Sequence, residues 1–217
     1  MNKSTKLLVT IFGVIFGISG MSHGIFEFLQ GNISTDGLFI SAIGEAQKMW
    51  PHGNEYAFTL IPNFQITGIL SMFLGFSIIF WSIKYVHKKN GPTIFLILFI
   101  VLLLFGGGVA QILFFPLLWL VSTRINRPLT WWQKVIPERV QKGLRRIWIW
   151  LLAISSITLL SVLVIAITGY VPTVNDPEVV LSIMLLCLSA VIVILPLAIV
   201  SGFANDLVAN TNVKDDK

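Results

Sequence analysis

His23, Glu27 and Gln30 stand at i, i+4 and i+7 near the end of a long apolar run, a spacing that brings three polar side chains onto one flank of a helix. An imidazole beside a carboxylate can do three kinds of chemistry there. With a third ligand such as His52 from the following loop, it can hold a divalent metal. In a transporter it can relay a proton or bind a small solute, because the imidazole changes charge near neutral pH and burial shifts a carboxylate toward that range. As an acid and base pair, it can serve a membrane-embedded enzyme. Asn63 and Gln65 open the next apolar run and reach the same depth, so a polar pocket at one mouth of a helix bundle is expected, with Glu45, His52 and Glu55 contributed by the loop between the runs. The competing expectation is that these side chains rest in the headgroup layer, hydrated and without a task. Ionisable groups inside a span are costly and usually face protein or water, which keeps the functional reading open. Gln111, an isolated amide inside a third apolar run, is a further binding candidate. Its simpler job is to hydrogen-bond backbone freed at a turn.

The elements that must carry these residues follow from composition. Of 217 residues, 55% are apolar and 12% are charged, and the mean hydropathy is +0.85. Those values describe a chain dissolved in lipid. Several runs reach the roughly 20 apolar residues that cross about 30 Å of hydrocarbon as a helix, and none alternates like a strand of an outer-membrane barrel. The fold class is therefore all-α, a polytopic helical membrane protein. Spans are predicted at about 6–29, 60–83, 147–170 and 179–203, in one integral membrane domain covering 1–217, with the run at 93–122 broken or re-entrant. The basic, apolar start resembles a secretory signal, but its apolar character continues to Leu29, so a retained first span is expected. Amphipathic surface segments are predicted at about 38–50, where Phe39, Ile43, Ala46 and Trp50 share a helical face, and at about 131–146. The tail after Phe203 reads as polar and frayed.

FGGGVAQILFFP, residues 105–116, interrupts the run at 93–122. One long tilted crossing would give five spans and would strand Lys3, Lys6, Lys84, Lys88 and Lys89 opposite the arginine-rich loop. A turn at Gly106-Gly107-Gly108 instead puts nearly every Lys and Arg on one side, as expected of cytoplasmic loops. Each arm would then be about 13 residues, near 20 Å of helix at 1.5 Å per residue, too short to cross alone. The charge pattern favours the re-entrant pair, with four full spans and both termini cytoplasmic. It also removes nucleic acid as a reading of the net charge of +5.

Gly13, Gly17, Gly20 and Gly24 form a small-residue stripe on the first span, suited to close approach by another helix of this chain, a second copy or a membrane partner. The loop 124–146, with Trp131, Trp132 and seven Lys or Arg residues, suits anionic lipid headgroups. Cys187 has no partner in the chain. No phosphate-binding glycine loop, CxxC, HExxH or GxSxG occurs, so no catalytic residue and no cofactor is assigned.

TRINRPLTWW, the preceding GGG and HGIFEFLQGN together resemble a group of small prokaryotic multi-pass membrane proteins without an assigned activity. The resemblance implies a bacterial or archaeal cell membrane and brings no site residues with it. The functional expectation is small-solute or ion transport through the polar cluster. The alternative is a non-catalytic structural or partner-binding membrane protein.

Overall fold

The computed structural model describes the backbone of residues 1–215 and the side chains of residues 1–211. Four helices are long and apolar enough to cross a membrane: α1 (Lys3–Leu29), α2 (Phe64–Lys84), α6 (Glu138–Thr168) and α7 (Pro177–Asp215). Between α2 and α6 lie the shorter helices α3 (Gly91–Leu104), α4 (Phe115–Ser122) and α5 (Thr130–Val135). The chain is an all-α polytopic helical protein of the expected class.

α1 packs along α2 through glycine. A side chain on Gly17 would meet the Gly75 carbonyl, and one on Gly24 would meet the Gly68 carbonyl, so backbone meets backbone across the pair. The small-residue stripe is thus filled from within the chain, with Leu102 of α3 covering Gly20. Along this contact runs an aromatic core in which Phe99 stacks on Phe115 at 5.6 Å and Phe16 on Phe114 at 5.5 Å. Aromatic pairs at this spacing add about 0.5–1.5 kcal/mol beyond their buried area. They seat α3 and α4 on α1.

The run at 93–122 turns back. Its two ends meet, since Asn126 Nδ2 donates to the His87 carbonyl at 2.5 Å, and Asn2 Nδ2 donates to the Arg124 and Arg127 carbonyls at 2.7 and 2.9 Å. The amino terminus therefore shares that end. So do the early turns of α6, with Arg139, Lys142, Arg145 and Arg146. Among residues 1–211 every Lys and Arg except Lys48 gathers there. The basic segment after Pro137 is not a separate surface helix, because α6 runs unbroken from Glu138 to Thr168.

Ten residues join the two arms, and they do more than turn. Phe105–Gly108 forms strand β3 and Val109–Leu113 a 3-10 turn. β3 pairs antiparallel with β2 (Tyr56–Thr59), which pairs with β1 (Phe39–Ser41). The partners Ala57↔Gly108 and Thr59↔Phe105 supply the hydrogen bonds that non-helical backbone must find within a membrane protein, and Leu60 N–H donates to the Leu104 carbonyl at 2.9 Å. The tip is capped by the loop between α1 and α2.

Two further segments differ from the expected ones. Residues 38–50 are not an amphipathic helix but β1, a bend and a short 3-10 turn at Glu45–Gln47. An isolated helix of this length is marginal, and pairing with β2 satisfies the backbone instead. Ile40, Ala42 and Ile43 are buried while Phe39 is exposed, which is a different set from the helical face. The tail is not frayed as far as it is described. Asp206 accepts hydrogen bonds from the Ser4 and Thr5 amides at 2.8 and 2.9 Å and from the Thr5 hydroxyl at 2.6 Å, so the end of α7 caps the start of α1. The tail beyond residue 215 lies outside the described residues.

Candidate functional site

The polar residues predicted as one cluster divide into three groups. Gln30 is structural: its Nε2 donates to the Ser41 and Ala42 carbonyls at 3.1 and 2.8 Å and pins the loop to the end of α1. Asn63 caps α2, accepting from the Ile66 amide at 3.0 Å and donating to Asn32 Oδ1 at 2.7 Å. That is the standard use of Asn at a helix start. Gln65 is half-buried on α2 and does not line the cavity described below. His23, Glu27 and Gln111 are buried where the tip meets α1.

His23 reaches Glu55, not Glu27. Its Nε2 lies 2.7 Å from Glu55 Oε2, and a side chain on Gly108 would overlap the imidazole. Glu55 immediately precedes β2, so strand pairing sets its position. Burial raises the Glu55 carboxyl, but the attraction and hydrogen bond of His23 outweigh that and leave it below its ordinary value. His23 Nδ1 is buried without a partner. Gln111 Nε2 donates to Ser19 Oγ on α1 at 3.2 Å. It does not bind the backbone of the tip, which the sheet already satisfies.

These groups form the polar side of a cavity of about 350 Å³ between the α1–tip–α4 unit and the α6–α7 pair. Ser19, His23, Asn54, Glu55 and Gln111 face it from one side. Phe16, Phe114, Leu159, Val162 and Leu188 supply apolar wall. His52 also lines it, while its Nε2 contacts Glu178 at the start of α7 at 2.8 Å. Neighbouring Trp50 donates from Nε1 to the Ala166 carbonyl at 3.0 Å, so the 42–55 loop bridges both halves of the bundle. His52 and His23 thus have separate carboxylate partners. Among the described residues no three His, Cys, Asp or Glu side chains converge as a metal set, and His23, Glu27 and His52 do not form one.

No family model, curated protein or solved structure matches the chain. Its site must be read from geometry.

Glu27 belongs to a different locus, one turn further along α1. It is fully buried, and a side chain on Gly106 would collide with its carboxylate and with Ser71 Oγ. Only glycine fits there, and Gly106 also has φ of +104°, a conformation that other residues rarely adopt. Ser71 and Thr67 stand beside Glu27 from α2. Neither hydroxyl stands out in the sequence, being lost within an apolar run. Glu55 was visible only as one of several loop carboxylates, and its pairing with His23 depends on β2.

Proposed function

We propose that this integral membrane protein binds a small amphiphilic solute in the cavity between the α1–tip–α4 unit and the α6–α7 pair. One observation carries the reading: a cavity with mostly apolar walls takes its few polar groups, His23, Glu55, Gln111 and Ser19 among them, from α1, the tip and the α1–α2 loop, while α6 and α7 line it with apolar side chains alone. Ligand sites combine an apolar lining with a few convergent polar groups, and 350 Å³ falls at the small end of their range. The polar head of the solute hydrogen-bonds the His23–Glu55 pair, and its apolar part lies against Phe114, Leu159 and Leu188. By the positive-inside rule the basic end is cytoplasmic, with both termini there, and the cavity faces the opposite side of a cell membrane.

A medium-chain alcohol with a photoreactive diazirine at its tail tests this in proteoliposomes. Labelling is expected on Phe114, Leu159 and Leu188, and Leu163→Trp, which fills the cavity, abolishes it. Labels confined to outward residues such as Phe73 and Ile157, unaffected by Leu163→Trp, refute the reading.

Transport of that solute is the second reading. It is favoured by the break between α3 and α4, since discontinuous helices commonly form the moving, ion-binding parts of transporters. Uptake of the same alcohol probe into sealed vesicles, abolished by Glu55→Gln, is the expected result. Accumulation at the lipid-partition level in both proteins limits the function to binding.

A further inference from the structure

We infer that Glu27, Ser71, Thr67 and the Phe105 carbonyl form a binding site for a small monovalent cation, Na⁺, at the helix break. Glu27 is 0% exposed and neither carboxylate oxygen has a hydrogen-bond partner. An ionised carboxylate buried in this way is strongly disfavoured unless a positive charge joins it.

Among the described residues no such charge stands at this position. His23, one turn back on α1, has its Nε2 turned to Glu55 at 2.7 Å. Lys48, the one lysine among the described residues at this end, pairs with Glu45 at 2.5 Å. The elements packed against Glu27 offer α2 hydroxyls and β3 backbone, and neither is cationic.

The Ser71 hydroxyl has no proton to give, because Ser71 Oγ donates to the Phe105 carbonyl at 2.7 Å. Thr67 Oγ1 lies 2.9 Å from Thr59 Oγ1, a contact in which either hydroxyl can donate, and it also stands within reach of Glu27. Ser71 Oγ therefore turns lone pairs toward a carboxylate that, when ionised, presents only lone pairs. A cation satisfies such facing acceptors.

The donor set selects its class. Every neighbouring ligand atom is oxygen, which suits a hard ion. A single carboxylate balances one positive charge, whereas a divalent ion beside it would leave a net charge buried without water. Unwound backbone at a helix break coordinating Na⁺ beside a buried acid follows the same physics as other broken-helix ion sites.

Thermal unfolding of the full chain in detergent micelles at neutral pH tests the site, with NaCl exchanged for choline chloride at constant ionic strength. A ligand that binds only the folded state raises the unfolding temperature in a saturable way. Na⁺ is expected to do so, and choline is not. Glu27→Gln is expected to remove the Na⁺ response, and Ser71→Ala to shift its midpoint about tenfold higher, equivalent to the loss of one good ligand contact. Should Glu27→Gln fail to fold, Ser71→Ala and Thr67→Val decide, because a midpoint unchanged in both overturns the site. Identical unfolding of the wild type in Na⁺ and choline also overturns it, and stabilisation by acid alone then assigns a proton to Glu27. The photolabelling of the amphiphile cavity is a separate readout, so either proposal can fail without the other.

Discussion

Gly106→Ala is the sharpest perturbation of the tip. Two costs can be worked from the structure. Gly106 has φ of +104°, and holding an ordinary residue in so sparsely populated a region costs about 1–3 kcal/mol. The added methyl would also overlap Glu27 Oε2 and lie 2.6 Å from Ser71 Oγ and 2.8 Å from Glu27 Oε1. Forcing an extra carbon into a packed interior costs a further ~1–3 kcal/mol. Together they predict a loss of about 4 kcal/mol from these ranges. Gly143→Ala is the matched control: it lies in α6, exposed, with nothing within 4 Å of the added carbon, and should gain about 0.5–1 kcal/mol from helix propensity. Unfolding in mixed lipid–detergent micelles titrated with a denaturing detergent measures both. A difference of less than about 1 kcal/mol between the two variants, where the costs above require several, would refute the seating of the tip against Glu27.

Three other expectations bear on topology, capping and pH. Lys88→Cys and Arg127→Cys should react with an impermeant maleimide from the same side of sealed vesicles, and His52→Cys from the other, because the ends of the 91–122 unit meet at Asn126 and His87; opposite accessibility of the first two would reject the turn. Asp206→Ala leaves the Ser4 and Thr5 amides buried and unpaired and should cost about 3 kcal/mol, with charge-assisted bonds worth about 1.5–3 kcal/mol each but not additive. Asp206→Asn should lose less, and equal unfolding midpoints for wild type and both variants would exclude the cap. Because the folded Glu55 carboxyl lies below its ordinary value of 4.5, its contribution is complete above that value and is lost as pH falls through the folded one. Acid unfolding should therefore be less steep in Glu55→Gln, and superimposable acid curves would count against the His23 pairing.

The legible part of this fold is the part that lipid dictates. Four spans follow from apolar run length, and the turn at 105–108 follows from the side on which Lys84–Lys89 and Arg124–Arg146 must lie. The β-sheet was not legible, because its strands are three or four residues long and draw on positions from Phe39 to Gly108. Pairing so distant leaves no local signal. Phe39, Ile43, Ala46 and Trp50 fit a helical face by spacing alone, and tertiary pairing overrode that pattern. The site was legible in residue type and not in partnership. His23 and Glu27 share a helix flank, yet a strand brings Glu55 to the first and a glycine brings Phe105 to the second. Gln30 and Asn63 are polar for structural reasons, the first to satisfy two loop carbonyls and the second because a helix start needs partners. Asp206 looked like part of a loose tail because its partners are about two hundred residues away.

β2 makes the two proposed sites dependent on one another. Glu55 directly precedes this strand, and the strand pairs with the tip that carries Phe105 and Gly106. A shift of the tip therefore moves the cation ligands on one side and draws Glu55 from His23 on the other. A cation that fixes the tip against Glu27 should hold the His23–Glu55 pair in its solute-binding arrangement. Coupling of binding free energies is reciprocal, so the factor by which Na⁺ strengthens labelling by the alcohol probe must equal the factor by which the alcohol strengthens Na⁺ binding. A typical coupling is about 5–150-fold. Measuring both factors on the wild type checks this, and Ala57→Pro, which cannot donate to the strand ladder, should reduce both toward one. Unequal factors, or factors of one in a protein that binds both ligands, would mean that the sheet does not connect the two sites.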